Sequence, residues 1–345
     1  MSAIADVAHL AGVSKATASR ALSGRGYVAL ETRNRVVEAA RTIGYVASSN
    51  AASLVTGRTT SVGVIIPFIN RWFFAEVLEG MQVALLEHGY DMTLYNLPAA
   101  SPERDRVFEY FLARKRFDAV ISVCVALSET EVDKLHRLGR PLVGIGGAIR
   151  GVHTIAIDDV EAARWATEHL LSLGHRDIVH VGGVLVSQMD FEVHSNRLRG
   201  FTAAMHDAGL STDGCFFASE LTFPGGYEMG MRVLGDPRSR PTGVFAACDE
   251  TAIGIIVAAR ELGINVPADL SVIGIDGHPY AEMFRLTTLE QRPRDQGRMA
   301  VASLVAGLED PAAFLAAGEL TVLPPTLVMR ASTSTPRPRV TAVAH

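Results

Sequence analysis

The chain has 345 residues, 48% of them hydrophobic and 20% charged, and carries a formal net charge of −5. At roughly 100–200 residues per domain, this length makes two or three folded domains, and the composition excludes a disordered chain. The negative total excludes a general polyanion binder. Three widely spaced cysteines (Cys124, Cys215, Cys248) supply neither a disulfide framework nor a zinc pattern.

The first element is a helix pair. Ile4, Val7, Ala8 and Ala11 recur at helical spacing. Gly12 tolerates the left-handed backbone of a sharp helix end, Val13 plugs the gap between helices, and Ser14 is an N-cap for the second helix. On that helix Ala18, Ala21 and Leu22 face inward, leaving Lys15, Ala16, Ser19 and Arg20 outward. This is the build of a helix-turn-helix whose second helix enters a major groove. Ser14 and Ser19 suit phosphates, Lys15 and Arg20 suit guanine edges, and Ala16 offers only a methyl. Taken alone, the same residues also make a helical hairpin with a solvated basic face.

A third helix is expected across Glu31–Ile43, with Val36, Val37, Ala40 and Ile43 as its apolar stripe and Gly44 as its stop. The three helices define an expected helix-turn-helix domain at 1–46. Residues 1–58 hold seven bases and three acids, a net of +4, which leaves −9 for the rest of a chain whose total is −5. A basic head on an acidic body fits DNA binding confined to the head, though a short window also reaches this balance by chance. Residues 47–59 are small and polar. They read as a hinge that becomes helical when bound, or as a passive tether.

From Ser61 the texture changes. Val62–Ile66 is a continuous apolar run, as in a strand buried on both faces. Helices are expected at 75–88, near 103–113, and at 129–138, 160–173, 197–208, 227–234 and 251–262. Strands are expected at 91–97, 119–123, 142–144, 178–181, near 216, and at 243–246 and 270–275. Two series of strand–helix units imply two similar lobes of wound parallel sheet with a cleft between them. No nucleophile–base–orienter set stands out, eleven scattered histidines form no metal spacing, and Gly182-Gly183 and Gly225-Gly226 lack the pattern of phosphate loops. An enzyme, a cofactor and a metal are therefore not expected. No apolar run is long enough for a membrane span and no basic-then-apolar leader opens the chain, so the expected location is cytoplasmic and nucleoid-associated.

These residues resemble the lac-repressor-type (LacI) family of bacterial transcription regulators over nearly the whole chain. The resemblance rests on Asp6-Val7-Ala8, Ala11-Gly12-Val13-Ser14, Thr17 with Ser19-Arg20, Thr32-Arg33 through Gly44-Tyr45, and Ser53-Leu54 with Thr56-Gly57-Arg58-Thr59. Phe73–Gly80, His169–Arg176, Arg197 with Gly200-Phe201, Gly274-Ile275-Asp276, Gln291 and Leu323–Val328 with Arg330 continue it. The resemblance implies a small all-α helix-turn-helix head and a two-lobed, periplasmic-binding-protein-like α/β body. In that body, lobe one takes about 60–159 and 290–320, lobe two takes about 160–289 and 321–330, and 331–345 is a flexible tail. It implies a homodimer on a near-palindromic double-stranded operator, most simply as a repressor. DNA contacts are implied at Ser14, Lys15, Ala16, Thr17, Ser19, Arg20, Tyr45, Asn50 and Ala51, with Leu54 as a minor-groove wedge. It further implies a sugar-like effector held by Phe73, Phe74, Arg197, Cys248 and Asp276.

The chain departs from the family pattern in places. Ala3 and Ala29 stand where helix-capping residues are usual, and Ala52 replaces a frequent arginine in the hinge. Gly146-Gly147 replaces an acidic position, Cys248 precedes Asp249 where asparagine is common, and Leu221 stands where an aromatic is frequent, with Phe223 close by. The tail has no leucine heptads to build a tetramer, so a dimer is expected. The rival reading, an extracytoplasmic-type sugar-binding protein, shares the two lobes but calls for a leader and no basic head.

Overall fold

The computed structural model describes residues 4–23, 26–45, 58–97, 104–109, 117–125, 127–137, 139–184, 192–311, 314 and 318–337. The hinge residues Asn50, Ala51, Ala52 and Leu54, the cap position Ala3 and the last residues, 338–345, lie outside this set.

The N-terminal unit contains α1 (Ile4–Leu10), α2 (Lys15–Ser23) and α3 (Leu30–Thr42). Among the described residues its buried core is Val7, Val36 and six alanines (Ala8, Ala11, Ala18, Ala21, Ala39, Ala40), rimmed by Ile4, Val13, Leu22, Val28, Ile43 and Tyr45. Side chains this small let three helices approach closely but bury little apolar area. The α1 stop is backbone-made: Gly12 has φ +65°, its N–H donates to His9 O, and the Val13 N–H donates to Ala8 O at 2.9 Å. These two bonds form a Schellman motif. Gly44 and Tyr45 repeat it at the end of α3, where Gly44 has φ +62° and the Tyr45 N–H reaches Ala40 O at 2.8 Å.

The second unit holds two six-stranded sheets. The first is ordered β11-β5-β4-β3-β1-β2, from β1 (Ser61–Ile66), β2 (Asp91–Asn96), β3 (Ala119–Val123), β4 (Leu142–Ile145), β5 (His153–Ile157) and β11 (Leu320–Leu323). The second is ordered β12-β10-β9-β8-β6-β7, from β6 (Ile178–Gly182), β7 (Phe216–Ala218), β8 (Gly243–Ala246), β9 (Ser271–Asp276), β10 (Thr287–Glu290) and β12 (Thr326–Val328). Central strands are parallel and wholly buried, which explains their unbroken apolar runs. The antiparallel edge strand β12 closes the second sheet.

The helices of the first lobe include α4 (Trp72–Glu87), α5 (Glu129–His136) and α11 (Pro293–Glu309). Those of the second lobe are α6 (Asp159–Ser172), α7 (Val193–Asp207), α8 (Phe223–Leu234), α9 (Asp249–Glu261) and the short α10 (Tyr280–Met283). Helix α11 packs on α4 through glycines: a Cβ on Gly80 would overlap Arg294 O, and one on Gly297 would overlap Val77 O.

Two expectations need correction. Residues 321–323 belong to the first sheet, not the second lobe, because Leu320–Leu323 pairs in parallel with Thr154–Ile157 and the chain crosses only at Pro324-Pro325. Residues 331–337 are not a flexible tail but a strap bonded to the second lobe. Ser332 Oγ donates to Val272 O and accepts the Thr287 N–H, the Ser334 N–H donates to Ser271 Oγ, and Arg337 pairs with Asp269 at 2.7 Å.

Candidate functional site

The outward face of α2 is the first candidate. Ser14, Lys15, Ala16, Ser19 and Arg20 are exposed and Thr17 is half-buried, while Ala18 and Ala21 face the core. Ser14 caps the helix: its Oγ accepts the Thr17 N–H at 3.1 Å and lies 2.9 Å from the Thr17 hydroxyl. Arg20 lies along the helix, its Nε donating to Ala16 O at 3.3 Å. Tyr45 is half-buried against the core of the head, beyond the Gly44 stop. Ala29 is the N-cap of α3 and makes no side-chain cap bond, as expected from its methyl. Such a missing cap costs about 0.5–2 kcal/mol.

The second candidate is a chamber of about 320 Å³ in the body. In each sheet the chain starts at one strand, winds outward, then returns to wind the other way. The switch points lie between β1 and β3 and between β6 and β8. In open α/β sheets, ligands sit beyond the strand C-termini at such points. The chamber walls follow that rule. Pro67 and Phe68 come after β1, Cys124 after β3, Gly183 and Val184 after β6, and Cys248 after β8. All five expected residues, Phe73, Phe74, Arg197, Cys248 and Asp276, line it.

The charges of the chamber are heavily buried. Arg197 sits in α7, which begins at Val193, four residues before the expected start. Its Nε donates to Asp159 Oδ1 at 2.8 Å, and Nη1 donates to Ala247 O. Burial alone would lower the guanidinium pKa, but Asp159 and Asp276 hold it above its usual value. Asp276 ends β9 at φ +140°, a strained conformation for a residue with a Cβ. Its Oδ1 accepts from Gln291 Nε2 at 2.5 Å, and Gln296 Nε2 fixes Gln291 O at 2.8 Å. Burial and the neighbouring Asp249 push Asp276 well above the carboxylate range, against Arg197 and Gln291. Asp249 is itself raised by burial to about 6, although the Thr288 hydroxyl (2.7 Å) and the His278 N–H (2.8 Å) both donate to it. Burial, with Asp276 nearby, also lifts the Cys248 thiol to about 12, so it stays protonated.

The first lobe supplies apolar walls. Phe74 stands edge-on to both Phe68 (5.7 Å) and Phe73 (5.3 Å), and the Arg71 guanidinium lies 3.7 Å over the Phe68 ring. The absence of an acid at Gly146 has a local cause. Its φ is +103°, and a Cβ there would overlap Cys124 Sγ. Leu221 does line the chamber, whereas Phe223 opens α8 and turns its ring to His278.

Sequence reasoning missed Arg71, Asp159, Glu250 and Gln296 as chamber residues. Their signal is topological, since each lies just past a strand end or at a crossover between the sheets. Among the described residues no group of His, Cys, Asp and Glu could hold a metal ion.

A helix-turn-helix head and a two-lobed body with a ligand-sized cleft define a DNA-binding transcription regulator with a ligand-binding domain. Residues 3–48 match the family model of bacterial regulatory proteins, lacI family, and residues 167–333 match a periplasmic binding protein-like domain. The chain is 31% identical over 307 residues to catabolite control protein A of Priestia megaterium, covering 87% of this chain and 91% of that protein. It is 33% identical over 312 residues to the transcriptional repressor PurR of Edwardsiella ictaluri, covering 88% and 90%. Among solved structures, the complex of the transcriptional regulator CelR with cellobiose matches with a TM-score of 0.69 at 26% identity, covering 96% of this chain and all of that one. The chain belongs to the lacI family of bacterial regulatory proteins.

Proposed function

We propose that this protein is a repressor that binds a near-palindromic operator as a homodimer and changes its operator affinity when a small polyhydroxylated molecule, a sugar or a related metabolite, occupies the chamber. The observation that carries the reading is the convergence of Phe73, Phe74, Arg197, Cys248 and Asp276 on one chamber at both switch points. Aromatic walls suit the apolar face of a sugar ring, and a fixed guanidinium beside a carboxyl grips neighbouring hydroxyls. The CelR–cellobiose structure supports that ligand class. Among the described residues, exposed apolar side chains on α4 and β2 (Val83, Leu86, Leu94) and on α9 and α10 (Val257, Tyr280, Met283) support a second copy as partner. The same reading assigns base contacts to Lys15, Ala16 and Arg20 and backbone contacts to Ser14, Thr17 and Ser19. The hinge roles of Asn50, Ala51 and Leu54 and the contact at Tyr45 belong to it as well.

The test begins with an operator selected from randomised duplexes and a thermal-shift screen of mono- and disaccharides. Hits are then assayed for their effect on operator binding. Asp276→Ala abolishes the response and leaves DNA binding intact, whereas Arg20→Ala costs about 1–3 kcal/mol on the selected site and relaxes base preference there. A variant lacking Asp276 that still responds to the effector overturns the assignment of the chamber.

A further inference from the structure

Next to the chamber-lining residues Arg71 and Phe73, the two lobes touch through side chains that neither the core nor the expected ligand set absorbs. Trp72, the first residue of α4 in the first lobe, lies with its ring 4.7 Å from the ring of His278 in the second, tilted by 49°. His278 is only 5% exposed and is held by its own lobe. Its backbone N–H donates to Asp249 Oδ2, its Nδ1 accepts the Tyr280 N–H at 3.0 Å, and Phe223 and Tyr280 flank its ring at 5.7 and 4.9 Å. An Nδ1 that accepts from a backbone N–H fixes the neutral tautomer, so the contact is ring on ring rather than ion on ring.

Two further groups on the same stretch of the first lobe face the second. Glu76, one turn along α4, acts electrostatically on His278 and is itself paired with Arg294 of α11. Arg71, just before α4, acts on Glu250 of α9, and both line the chamber. His278 lies two residues beyond Asp276, and both meet at Asp249, which accepts the His278 N–H and is electrostatically coupled to Asp276. A ligand that engages Asp276, Arg71 or Glu250 therefore works on groups adjacent to the ring pair.

We propose that Trp72 and His278 form a latch between the lobes, which holds the cleft closed and lets the state of the chamber set how often it opens. The inference deepens the reading of the body as a ligand-operated switch and rests on it. The latch partners lie on opposite lobes, so any opening that separates the N-terminus of α4 from the β9–α10 turn must break this ring contact. The crossovers at 158, 291–292 and 324–325 then carry the bend.

The experiment is hydrogen–deuterium exchange on the full-length protein without DNA or effector, so its outcome is independent of operator and ligand identity. Trp72→Ala and His278→Ala are each expected to speed exchange at the crossovers and at residues 271–280 by about two- to tenfold, the range of an aromatic pair. The double variant adds nothing beyond His278→Ala, because the Trp72 ring contact is already lost with the histidine, along with its Tyr280 N–H bond and its Phe223 contact. Trp72→Phe, which keeps a ring on the stable α4, stays close to wild type and controls for misfolding. Unchanged exchange in both alanine variants overturns the latch, as do additive effects in the double variant. Exchange that follows the expected pattern in a protein whose operator binding answers to no effector in the screen would instead count against the proposed function alone.

Discussion

The two lobes have the same strand order, yet they bring opposite chemistry to the chamber between them. The first contributes mostly rings and small groups (Phe68, Phe73, Phe74, Cys124, Gly146) with the single guanidinium of Arg71, and the second contributes buried charge (Arg197, Asp276) and half-buried Glu250, with Asp159 at the crossover. Topology alone fixes where a cleft forms, since it places two switch points opposite each other. It does not fix what the cleft recognises. The second lobe holds its charges in place with Asp159, Gln291, Thr288 and the His278 N–H, so the polar wall is built before any ligand arrives. The first lobe contributes Gln296 of α11 to that network, where it fixes Gln291 O, while its own wall is built of packed rings.

Three substitutions probe that asymmetry. Asp159→Ala removes the carboxylate that holds Arg197 and leaves a buried guanidinium short of a partner. It should cost about 3–5 kcal/mol in equilibrium urea unfolding. A cost under about 1 kcal/mol would show that the charged wall needs no support from the crossover. On the first lobe, Gly146→Asp should cost about 2–3 kcal/mol, because the backbone conformation is strained and the new Cβ meets the Cys124 sulfur. Combining it with Cys124→Ala should recover part of the melting temperature. No recovery would locate the whole penalty in the backbone.

The smallest effect concerns the acid pair. A carboxyl whose folded pKa is raised contributes stability that is complete below its unfolded value and lost as pH rises through the folded one. For Asp249 that window runs from about 4 to about 6. Asp276→Asn removes the second acid of the pair, whose folded pKa is also raised, so the variant should lose about 1–2 kcal/mol less stability than wild type as pH rises across that window. Parallel stability profiles for the two proteins would show that the pair does not share its proton.

Much of this was readable in the chain, for reasons that differ by region. The caps and stops of the head are local: Gly12, Ser14 and Gly44 act on neighbours within five residues, so their chemistry reveals them, and helix spacing marks Val7 and Ala8 as a buried face. The central strands announce themselves as apolar runs because both faces are buried. The return elements do not. Helix α11 has an apolar stripe diluted by Gly297, whose smallness makes sense only once α4 lies against it, and by Gly307, which the Phe314 ring covers. Strands β5, β10, β11 and β12 give no such signal. Their place depends on partners far away in sequence, which local patterning does not specify. In the chamber, Arg197 and Asp276 were legible through family resemblance, while Arg71, Glu250 and Gln296 came into view only when the strand ends were brought together.

The late strands also set the order in which the molecule can be finished during synthesis. Every element of the head lies within residues 4–45, so it can fold as soon as it clears the ribosome. Neither lobe has that option. The first sheet waits for Leu320–Leu323, and the second waits for Thr326–Val328 and the strap through Arg337. Until those strands are made, the nascent chain carries all the elements of the head on a body whose two sheets are unfinished. The two sheets are complete only once residues 320–328 have been added.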